Sequence, residues 1–224
     1  NVCDFMINKI ITIDGFASTG KSTISKKLAN HLGYLHIDTG QMYRAITVKA
    51  INEKAIIDER INENLIKKII GNSIFSISKK NNSIILNNNE FGDELRSILV
   101  SDKVSKISSI KSVREFMIIE QRKLAKNKSV VVEGRDIGTI IFPFASKKFF
   151  MNADPNVRAR RRFDQLKKID SEILFDQVLK NVLKRDFVDS NREIAPLKKP
   201  EDSIEIDTSS LNINEVFNLM LSYI

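Results

Sequence analysis

The sequence predicts an α/β protein with a doubly wound parallel sheet, and three observations near its beginning support that prediction. Residues 9–14 (KIITID) form a short β-branched run that ends at a glycine, which is typical of a buried parallel strand. Residues 21–32 then place apolar side chains at helical spacing, with a glycine directly after them. A second strand-like run, residues 34–37, follows at once. Strand, glycine loop, helix and strand in this order indicate a βαβ unit, whose strands are parallel.

The remaining elements extend this unit into a larger sheet. Further helices are expected over residues 41–53, 103–126 and 213–223, and further strands over residues 129–133, 147–151 and 203–207. Residues 129–133 (SVVVE) and 147–151 (KKFFM) are short and largely apolar, which favours buried positions. With the two opening strands, these runs predict a parallel sheet of five strands.

Two stretches depart from the pattern of the core. Residues 56–100 contain alternating runs at 74–78 and 83–86, separated by residues 79–82, which predicts a small antiparallel hairpin. Residues 155–192 are charged and mostly helical in pattern. The predicted organisation is a core of residues 1–55, 101–154 and 193–224, an inserted subdomain of residues 56–100 with a small antiparallel sheet, and a helical lid region of residues 155–192.

Composition narrows the class of protein. The chain has 224 residues, 42% of them hydrophobic, and a formal net charge of +8, which suggests an acidic partner: nucleic acid, an anionic membrane or a phosphorylated small molecule. Charge alone does not choose among these, and a lysine-rich surface bias is the plain alternative. We find no run of eighteen apolar residues and no leader-like N-terminus, so we expect a cytoplasmic protein. A single cysteine excludes an internal disulfide and a cysteine-rich metal site.

The strongest functional signal is the phosphate-binding pattern G-x-x-x-x-G-K-[ST] between the first strand and the first helix. Glycines let the loop wrap closely around phosphate, while backbone N–H groups and the helix start supply partial positive charge. Lys21 is expected to reach the β and γ phosphates, and the Ser22 hydroxyl to bind Mg²⁺. The alternative, a glycine turn before an ordinary helix, does not require the lysine and serine. The predicted ATP-binding residues are Gly15, Phe16, Ala17, Ser18, Thr19, Gly20, Lys21, Ser22 and Thr23.

A phosphate loop alone leaves GTPases, ATPases, nucleic-acid motors and small-molecule kinases open. The guanine-reading pattern Asn-Lys-x-Asp is absent from the sequence, because Asn127 and Lys128 are followed by Ser129 and Val130. No apolar run ends in the Asp-Glu pair of motor ATPases. Arginines at motif-like positions therefore favour a second phosphorylated substrate.

Three further segments carry a specific resemblance. They are DTGQMYRA at residues 38–45, EGRDIGTIIFP at residues 133–143 and RDFVDSNREIAPL at residues 185–197. With the phosphate loop, they resemble the motifs of the bacterial cytidylate kinases, a family of P-loop nucleoside monophosphate kinases, over nearly the whole chain. In that family residues 56–100 would be the NMP-binding subdomain, with Arg96 of GDELRS anchoring the comparison. The sequence departs from the family at Phe16, usually proline, and at Gln41, usually alanine.

The resemblance implies an acceptor site for CMP. Its phosphate would be held by Arg44, Arg135 and Arg192, for which the rigid guanidinium fork is well suited. Ser105, Arg114 and Asp136 would bind the cytosine, with Thr39 and Tyr43 lining the pocket. Arg185 and Asp189 would meet the ribose hydroxyls. An unpaired buried base edge costs about 1–3 kcal/mol, so such groups select the base.

A dense run of arginines marks the predicted lid. Residues 154–163 (DPNVRARRRF) place arginines at 158, 160, 161 and 162, and in isolation this could be a solvated basic helix or a nucleic-acid patch. After a strand, in a chain with a phosphate loop, it favours a lid that closes over ATP. The predicted catalytic residues are Lys21, Arg158, Arg161 and Arg162, which would stabilise charge on the transferred group.

Other candidates are weaker. His31 and His36 lack a carboxylate or cysteine at ligand spacing, which favours structural roles. Asp14 and Asp38, at strand ends, could assist Mg²⁺ through water or act as turn residues.

The sequence thus predicts an enzyme that transfers the γ-phosphoryl group of ATP to CMP or dCMP, with Mg²⁺ as cofactor. We expect a monomer that binds neither nucleic acid nor membrane. Two alternatives stay open: a P-loop kinase with UMP, AMP or a small sugar acid as acceptor, and a nucleic-acid-binding NTPase.

Overall fold

The computed structural model describes residues 8–78, 80, 82–168 and 171–224. Lys79 and Asn81, in the predicted hairpin turn, lie outside the described residues. The strands are β1 (Ile10–Gly15), β2 (Leu35–Asp38), β3 (Ile56–Ile57), β4 (Arg60–Ile61), β5 (Phe75–Ile77), β6 (Ile84–Leu86), β7 (Asn89–Glu90), β8 (Val130–Glu133), β9 (Lys147–Asn152) and β10 (Ile204–Asp207). The α-helices are α1 (Lys21–Leu32), α2 (Thr39–Asn52), α3 (Glu63–Gly71), α4 (Ile98–Ser109), α5 (Lys111–Ala125), α6 (Pro155–Leu166), α7 (Phe175–Asn191) and α8 (Ile213–Leu221).

The main sheet confirms the predicted fold class. Its five strands are all parallel and lie in the order β10-β9-β1-β8-β2, with the first strand in the centre. Because parallel strands point the same way, their carboxyl ends share one edge of the sheet, and this edge carries Gly15, Asp38, Glu133, Asn152 and Asp207. Ligands of open α/β sheets bind at this edge.

Helices cover both faces of the sheet. On one face, Leu28 of α1 and Met220 of α8 pack in one core cluster with Ile13 of β1. On the other face, Ile46 of α2 packs in a second cluster with Val132 of β8. The alternating strand residues therefore face two separate apolar cores, which explains why the strands read as continuous β-branched runs.

The turn after β1 requires a glycine. Gly15 has φ +140°, and a Cβ at this position would lie 2.0 Å from the carbonyl oxygen of Met151. Any side chain would clash with the backbone of β9, so the phosphate loop can begin this close to the sheet only because residue 15 lacks one.

The region between α2 and α4 contains more structure than the sequence predicted. The predicted hairpin is present: β5 pairs with β6 in antiparallel register, with Phe75 opposite Leu86. The β3–β4 hairpin, α3 and β7 were not predicted. The interior of this region is continuous with the core beneath α2 and α5, since Ile66 and Ile69 belong to the same cluster as Ile46.

The helical pattern predicted over residues 103–126 corresponds to two helices in the structure, α4 and α5. α4 begins after Ser97, whose side chain accepts a hydrogen bond from Val100 N–H, and ends at Ser109. Ile110 is extended, with φ −72° and ψ 124°, and α5 begins at Lys111. Serine hydroxyl groups compete with the helix backbone near this break: Ser108 Oγ and Ser109 Oγ both donate to the Ser105 carbonyl.

The charged region 155–192 is helical, as predicted, and consists of α6 and α7. Asp154 caps α6 by accepting from Asn156 N–H at 2.8 Å, and Pro155 occupies the first turn. None of the helices among the described residues combines the length and apolarity needed to cross a bilayer.

Two phenylalanines provide a matched test of the core. Phe149 on β9 is 0% exposed, whereas Phe144 in the preceding loop is 98% exposed. We expect Phe149→Ala to lower the free energy of unfolding by about 3–5 kcal/mol, because it removes a buried ring and leaves a cavity. Phe144→Ala should change it by less than about 0.5 kcal/mol. Urea denaturation followed by circular dichroism measures both, and equal effects would contradict the packing described for β9.

Candidate active site

The predicted ATP-binding residues, Gly15 to Thr23, form the turn between β1 and the first residues of α1. Lys21 is buried, and its Nζ donates to the Phe16 carbonyl oxygen and to Thr19 Oγ1, the latter at 3.3 Å. Burial and the nearby charge of Arg135 hold the pKa of Lys21 well below its usual value. A buried ammonium beside another cation is unfavourable on its own, so an anion bound in this loop would relieve the site.

Oxygen atoms gather around Ser22. Its Oγ donates to Glu133 Oε2 at 2.8 Å and lies 3.4 Å from Asp38 Oδ2. Asp38 also caps α2, accepting from the Gln41 backbone N–H and from Gln41 Nε2, both at 3.0 Å. Hydroxyl and carboxylate oxygens are the ligands that hard divalent cations prefer.

Glu133 is a site residue that the sequence analysis missed. Burial raises the pKa of this carboxyl, the nearby Asp38 raises it further, and His36 opposes both. His36 Nε2 lies 2.9 Å from Glu133 Oε1, so the expectation that this histidine lacks a carboxylate partner is wrong. The available signal was the position of Glu133, the last residue of a buried strand and the first of EGRD. His31, by contrast, packs edge-on against Phe217.

Asp14 is fully buried, and its carboxylate accepts two hydrogen bonds from backbone N–H groups. Oδ1 accepts from Ile137 N–H at 2.9 Å and Oδ2 accepts from Gly138 N–H at 2.7 Å. Burial raises the pKa of Asp14 to about 6, against the lowering effect of these two hydrogen bonds. The residue therefore ties the strand before the phosphate loop to the π-helical turn Ile137–Ile141, which follows Asp136.

Five of the predicted acceptor residues meet in one ionic network across the same edge. Asp189 Oδ2 lies 3.0 Å from Arg135 Nε, and Asp189 Oδ1 lies 3.7 Å from Arg192 Nη1. Asp136 pairs with Arg192 at 3.4 Å and also with Arg114. Burial alone would raise the pKa of Asp189, but Arg135, Arg185 and Arg192 together lower it. The two carboxylates thus hold the guanidinium groups in fixed positions.

Burial lowers the pKa of three further arginines of the site. Burial lowers the pKa of Arg185 to about 10, with Arg135 as the next cause. Burial also lowers the pKa of Arg162, and the charges of Arg44 and Arg96 lower it further. Arg44 has a lowered pKa as well, again mainly because of burial, which Asp38 opposes. The charges of these arginines therefore act on one another, an arrangement that a bound phosphate would stabilise.

Several buried polar atoms near this network have no hydrogen-bond partner among the described residues. They are Tyr43 Oη, Ser105 Oγ, Arg114 Nε and Arg185 Nε. The Arg114 guanidinium lies over the Tyr43 ring, 5.6 Å from its centroid. Thr39 Oγ1, in contrast, donates to the Glu133 carbonyl at 2.7 Å. Orphaned buried polar groups are rare in folded proteins, so their concentration here indicates a site for a polar ligand.

The arginines of α6 face different partners. Arg158 is buried, pairs with Asp186 at 2.7 Å and donates to the Ala153 carbonyl at 2.9 Å. Arg161 donates to the Thr208 carbonyl at 2.6 Å. Arg162 donates to Ser101 Oγ at 3.0 Å, across to α4. In this structure only Arg162 turns toward the acceptor-side arginines, and the catalytic roles of all three stay predictions.

A cavity of about 530 Å³ lies beside the phosphate loop, on the side away from the acceptor network. Phe16 contributes to its lining, together with Arg158 and Asp207. The Phe16 ring packs edge-on against Phe150 at 6.0 Å, and the Arg158 guanidinium carbon lies 5.1 Å from the centre of its ring.

The paired state of Asp189 gives a testable consequence. Because its pKa is lowered in the folded protein, its contribution to stability is present above about pH 4 and is lost as the pH falls through the folded value. Asp189→Asn should lower the free energy of unfolding by roughly 3 kcal/mol at pH 7, since it leaves buried cations uncompensated. It should also flatten the acid dependence below pH 4.

Urea titrations at pH 7 and between pH 4 and pH 2 test this, with Asp164→Asn on the exposed surface of α6 as the control. If Asp189→Asn had the same free energy of unfolding as Asp164→Asn both at pH 7 and between pH 4 and pH 2, Asp189 would not be paired as described.

Comparison with known proteins identifies the family. The sequence model described as Cytidylate kinase matches residues 11–224. A cytidylate kinase of Flavobacterium psychrophilum is 44% identical over 218 residues, covering 96% of both chains. One from Caldanaerobacter subterraneus subsp. tengcongensis is 44% identical over 206 residues, covering 92% of this chain and 90% of the relative. One from Clostridioides difficile is 42% identical over 219 residues, covering 98% of this chain and 99% of the relative.

Solved structures agree with the fold. A shikimate kinase from Bacteroides thetaiotaomicron superposes with a TM-score of 0.51 at 14% identity, covering 96% of this chain and 97% of that chain. An uncharacterized protein from Eubacterium ventriosum gives a TM-score of 0.53 at 14% identity, covering 96% and 98%. At this identity the likeness concerns the fold alone. The sequence match extends over nearly the entire chain, and on that basis the protein belongs to the cytidylate kinase family.

Proposed function

We propose that this protein transfers the γ-phosphoryl group of ATP to CMP, and to dCMP, giving ADP and CDP or dCDP. One observation carries the proposal: Ser22 of the phosphate loop donates to Glu133 at 2.8 Å, only two residues before Arg135, which pairs with Asp189 of the acceptor network. Burial lowers the pKa of Lys21, and Arg135 lowers it further, while Asp189 opposes them. A donor site and an acceptor site this close allow direct transfer between two bound phosphates.

The proposed donor half is the loop Gly15–Thr23. Its backbone N–H groups and the start of α1 would hold the ATP phosphates, with Lys21 turning from the Phe16 carbonyl to the β and γ phosphates. The proposed acceptor half is Arg44, Arg135 and Arg192, which would hold the phosphate of CMP.

The reaction follows from this alignment. A phosphate oxygen of CMP attacks the γ phosphorus in line, the bond from that phosphorus to the β–γ bridging oxygen breaks, and ADP leaves with the electron pair. The acceptor oxygen is already anionic, so no general base is required. Lys21 and Arg162 stabilise the charge on the transferred group, and Arg158 and Arg161 would join them if α6 moves when ATP binds.

Base and ribose recognition are assigned to seven residues, of which Tyr43, Ser105, Arg114 and Arg185 have unsatisfied buried atoms. Ser105, Arg114 and Asp136 would bind the cytosine edge, and Thr39 and Tyr43 would line the pocket. Arg185 and Asp189 would meet the ribose hydroxyls. Leaving such buried groups unpaired costs about 1–3 kcal/mol each, which favours the base that satisfies them.

The oxygens around Ser22 fit Mg²⁺, whose role with ATP is to neutralise charge on the β and γ phosphates. Asp38 and Glu133 are hard donors that each lie within hydrogen-bonding distance of Ser22 Oγ, itself a hard donor. We assign Ser22 as a ligand and the two carboxylates as groups that orient it or its bound water. Asp14 is not part of this set, because its oxygens contact Ile137 N–H and Gly138 N–H rather than the Ser22 hydroxyl.

The domain division is part of the same proposal. Residues 56–100 would act as the NMP-binding subdomain, residues 155–192 as the lid, and the remaining segments as the core. We further propose a cytoplasmic monomer that acts on small molecules and binds neither nucleic acid nor membrane.

Substrate choice tests the assignment directly. In a coupled ADP-release assay with ATP, we expect CMP and dCMP to give the highest kcat/KM among CMP, dCMP, UMP, AMP and shikimate. A missing or reversed hydrogen-bond partner on the base should reduce kcat/KM by about tenfold or more. Highest kcat/KM with UMP, AMP or shikimate would show that CMP is not the preferred acceptor. ATP hydrolysis stimulated by RNA or DNA but unaffected by CMP would contradict the kinase assignment and favour a nucleic-acid-binding NTPase.

Substitution of Arg192 tests the assignment of the acceptor half independently of the donor half. We expect Arg192→Ala to raise the KM for CMP by about 10-fold or more and the KM for ATP by far less, because the side chain lies on the acceptor side. Arg192→Lys keeps the charge but loses the fork, so its effect should be intermediate. Initial-rate kinetics with each substrate varied measure both constants, and equal rises would reject the assignment of Arg192 to the CMP phosphate.

A further inference from the structure

Arg96 is an arginine without an assigned role. It ends the short 3-10 turn Asp93–Arg96, at the end of the inserted region, and its side chain is exposed. This turn packs against α2, the helix that carries Arg44. From the other side, Arg162 of α6 reaches the same turn, with Nη2 at 3.4 Å from the Arg96 carbonyl oxygen. The turn that carries Arg96 therefore lies between the helix that carries Arg44 and the guanidinium group of Arg162.

Arg44, Arg96 and Arg162 have no ion-pair partner within residues 8–78, 80, 82–168 and 171–224. The arginine ion pairs found in the described ranges involve Arg114, Arg135, Arg158 and Arg192, and none involves Arg44, Arg96 or Arg162. Arg44 has some compensation from Asp38 and Glu133, whereas the charges acting on Arg162 are those of Arg44 and Arg96.

Like charges without counterions repel one another, which is unfavourable. An anion bound between these arginines would attract all three and make the electrostatic energy of the cluster favourable. The anion must be small enough to meet side chains from three segments at once. A phosphate group satisfies this geometry, because it offers several charged oxygens around one centre.

We propose that Arg96 is a further substrate-binding residue, which contacts the phosphate of the acceptor nucleotide together with Arg44 and Arg162. This inference rests on the proposed function and adds to it a contact from the inserted region. The acceptor phosphate then links that region to α2 and α6, so the arrangement is complete only when the acceptor is a nucleotide rather than a nucleoside.

The test compares CMP with cytidine, which has the same base and ribose but no phosphate. Arg96→Ala should raise the KM for CMP by about 10- to 100-fold, the range expected for a charge-assisted contact, and change the KM for ATP by less than about threefold. The inhibition constant of cytidine, as a competitor of CMP, should stay within about twofold. Arg96→Lys should fall between Arg96→Ala and the wild type.

Arg60→Ala is the matched control, since Arg60 is an exposed arginine of β4 in the same inserted region. It should leave every constant unchanged, and urea denaturation of both alanine variants checks that they fold. An unchanged KM for CMP in Arg96→Ala would overturn the inference, and so would an equal rise in the cytidine constant. If the wild type prefers another nucleotide, the proposed function fails separately, and the same comparison is made with that nucleotide and its nucleoside.

Discussion

The structure depends on how positive charge is held at the carboxyl edge of the sheet. Arginines are costly to bury unless carboxylates or anions accompany them. Asp136 and Asp189 provide that compensation inside the protein, each contacting two guanidinium groups. Since Asp136 follows β8 and Asp189 lies on α7, the same ion pairs that balance the charge also fix the helical region against the sheet.

The carboxylate partners are distributed unevenly among the arginines of the site. This difference distinguishes arginines that the fold holds in ion pairs from arginines that can bind an anion. Arg114, Arg135 and Arg192 have carboxylate partners and are held rigidly, which suits residues that must present donors at fixed positions. Arg44, Arg96 and Arg162 have no such ion pair in the part of the chain that the structure describes, so they remain available to an anion. Lys21 likewise has no ion pair among the described residues, and its ammonium donates to a carbonyl of its own loop.

Much of the fold followed from local sequence patterns, because the buried strands and their glycine-bounded turns are contiguous in the chain. The break at Ile110 did not, since helix propensity continues through it and only the serine side chains oppose the backbone. The partner of His36 was also hidden: Glu133 is 97 residues away, and only the pairing of β2 with β8 brings the two together. The structure brings together five of the predicted acceptor residues, which are Arg114, Arg135, Asp136, Asp189 and Arg192. The division into paired and unpaired arginines depends on distances that no pattern encodes.

The two departures from the family pattern have physical explanations. Gln41 adds a second donor to Asp38, which steadies the carboxylate beside Ser22. The Arg158 guanidinium lies over the Phe16 ring and also forms an ion pair with Asp186 on α7. A guanidinium that gains both a ring face and a carboxylate is held more firmly than one that has the carboxylate alone. Phe16 therefore connects the phosphate loop to α6 and α7 through Arg158, and it lines the cavity on the donor side. A change of the Phe16 side chain would therefore alter the surroundings of Arg158 on α6 as well as the phosphate loop itself.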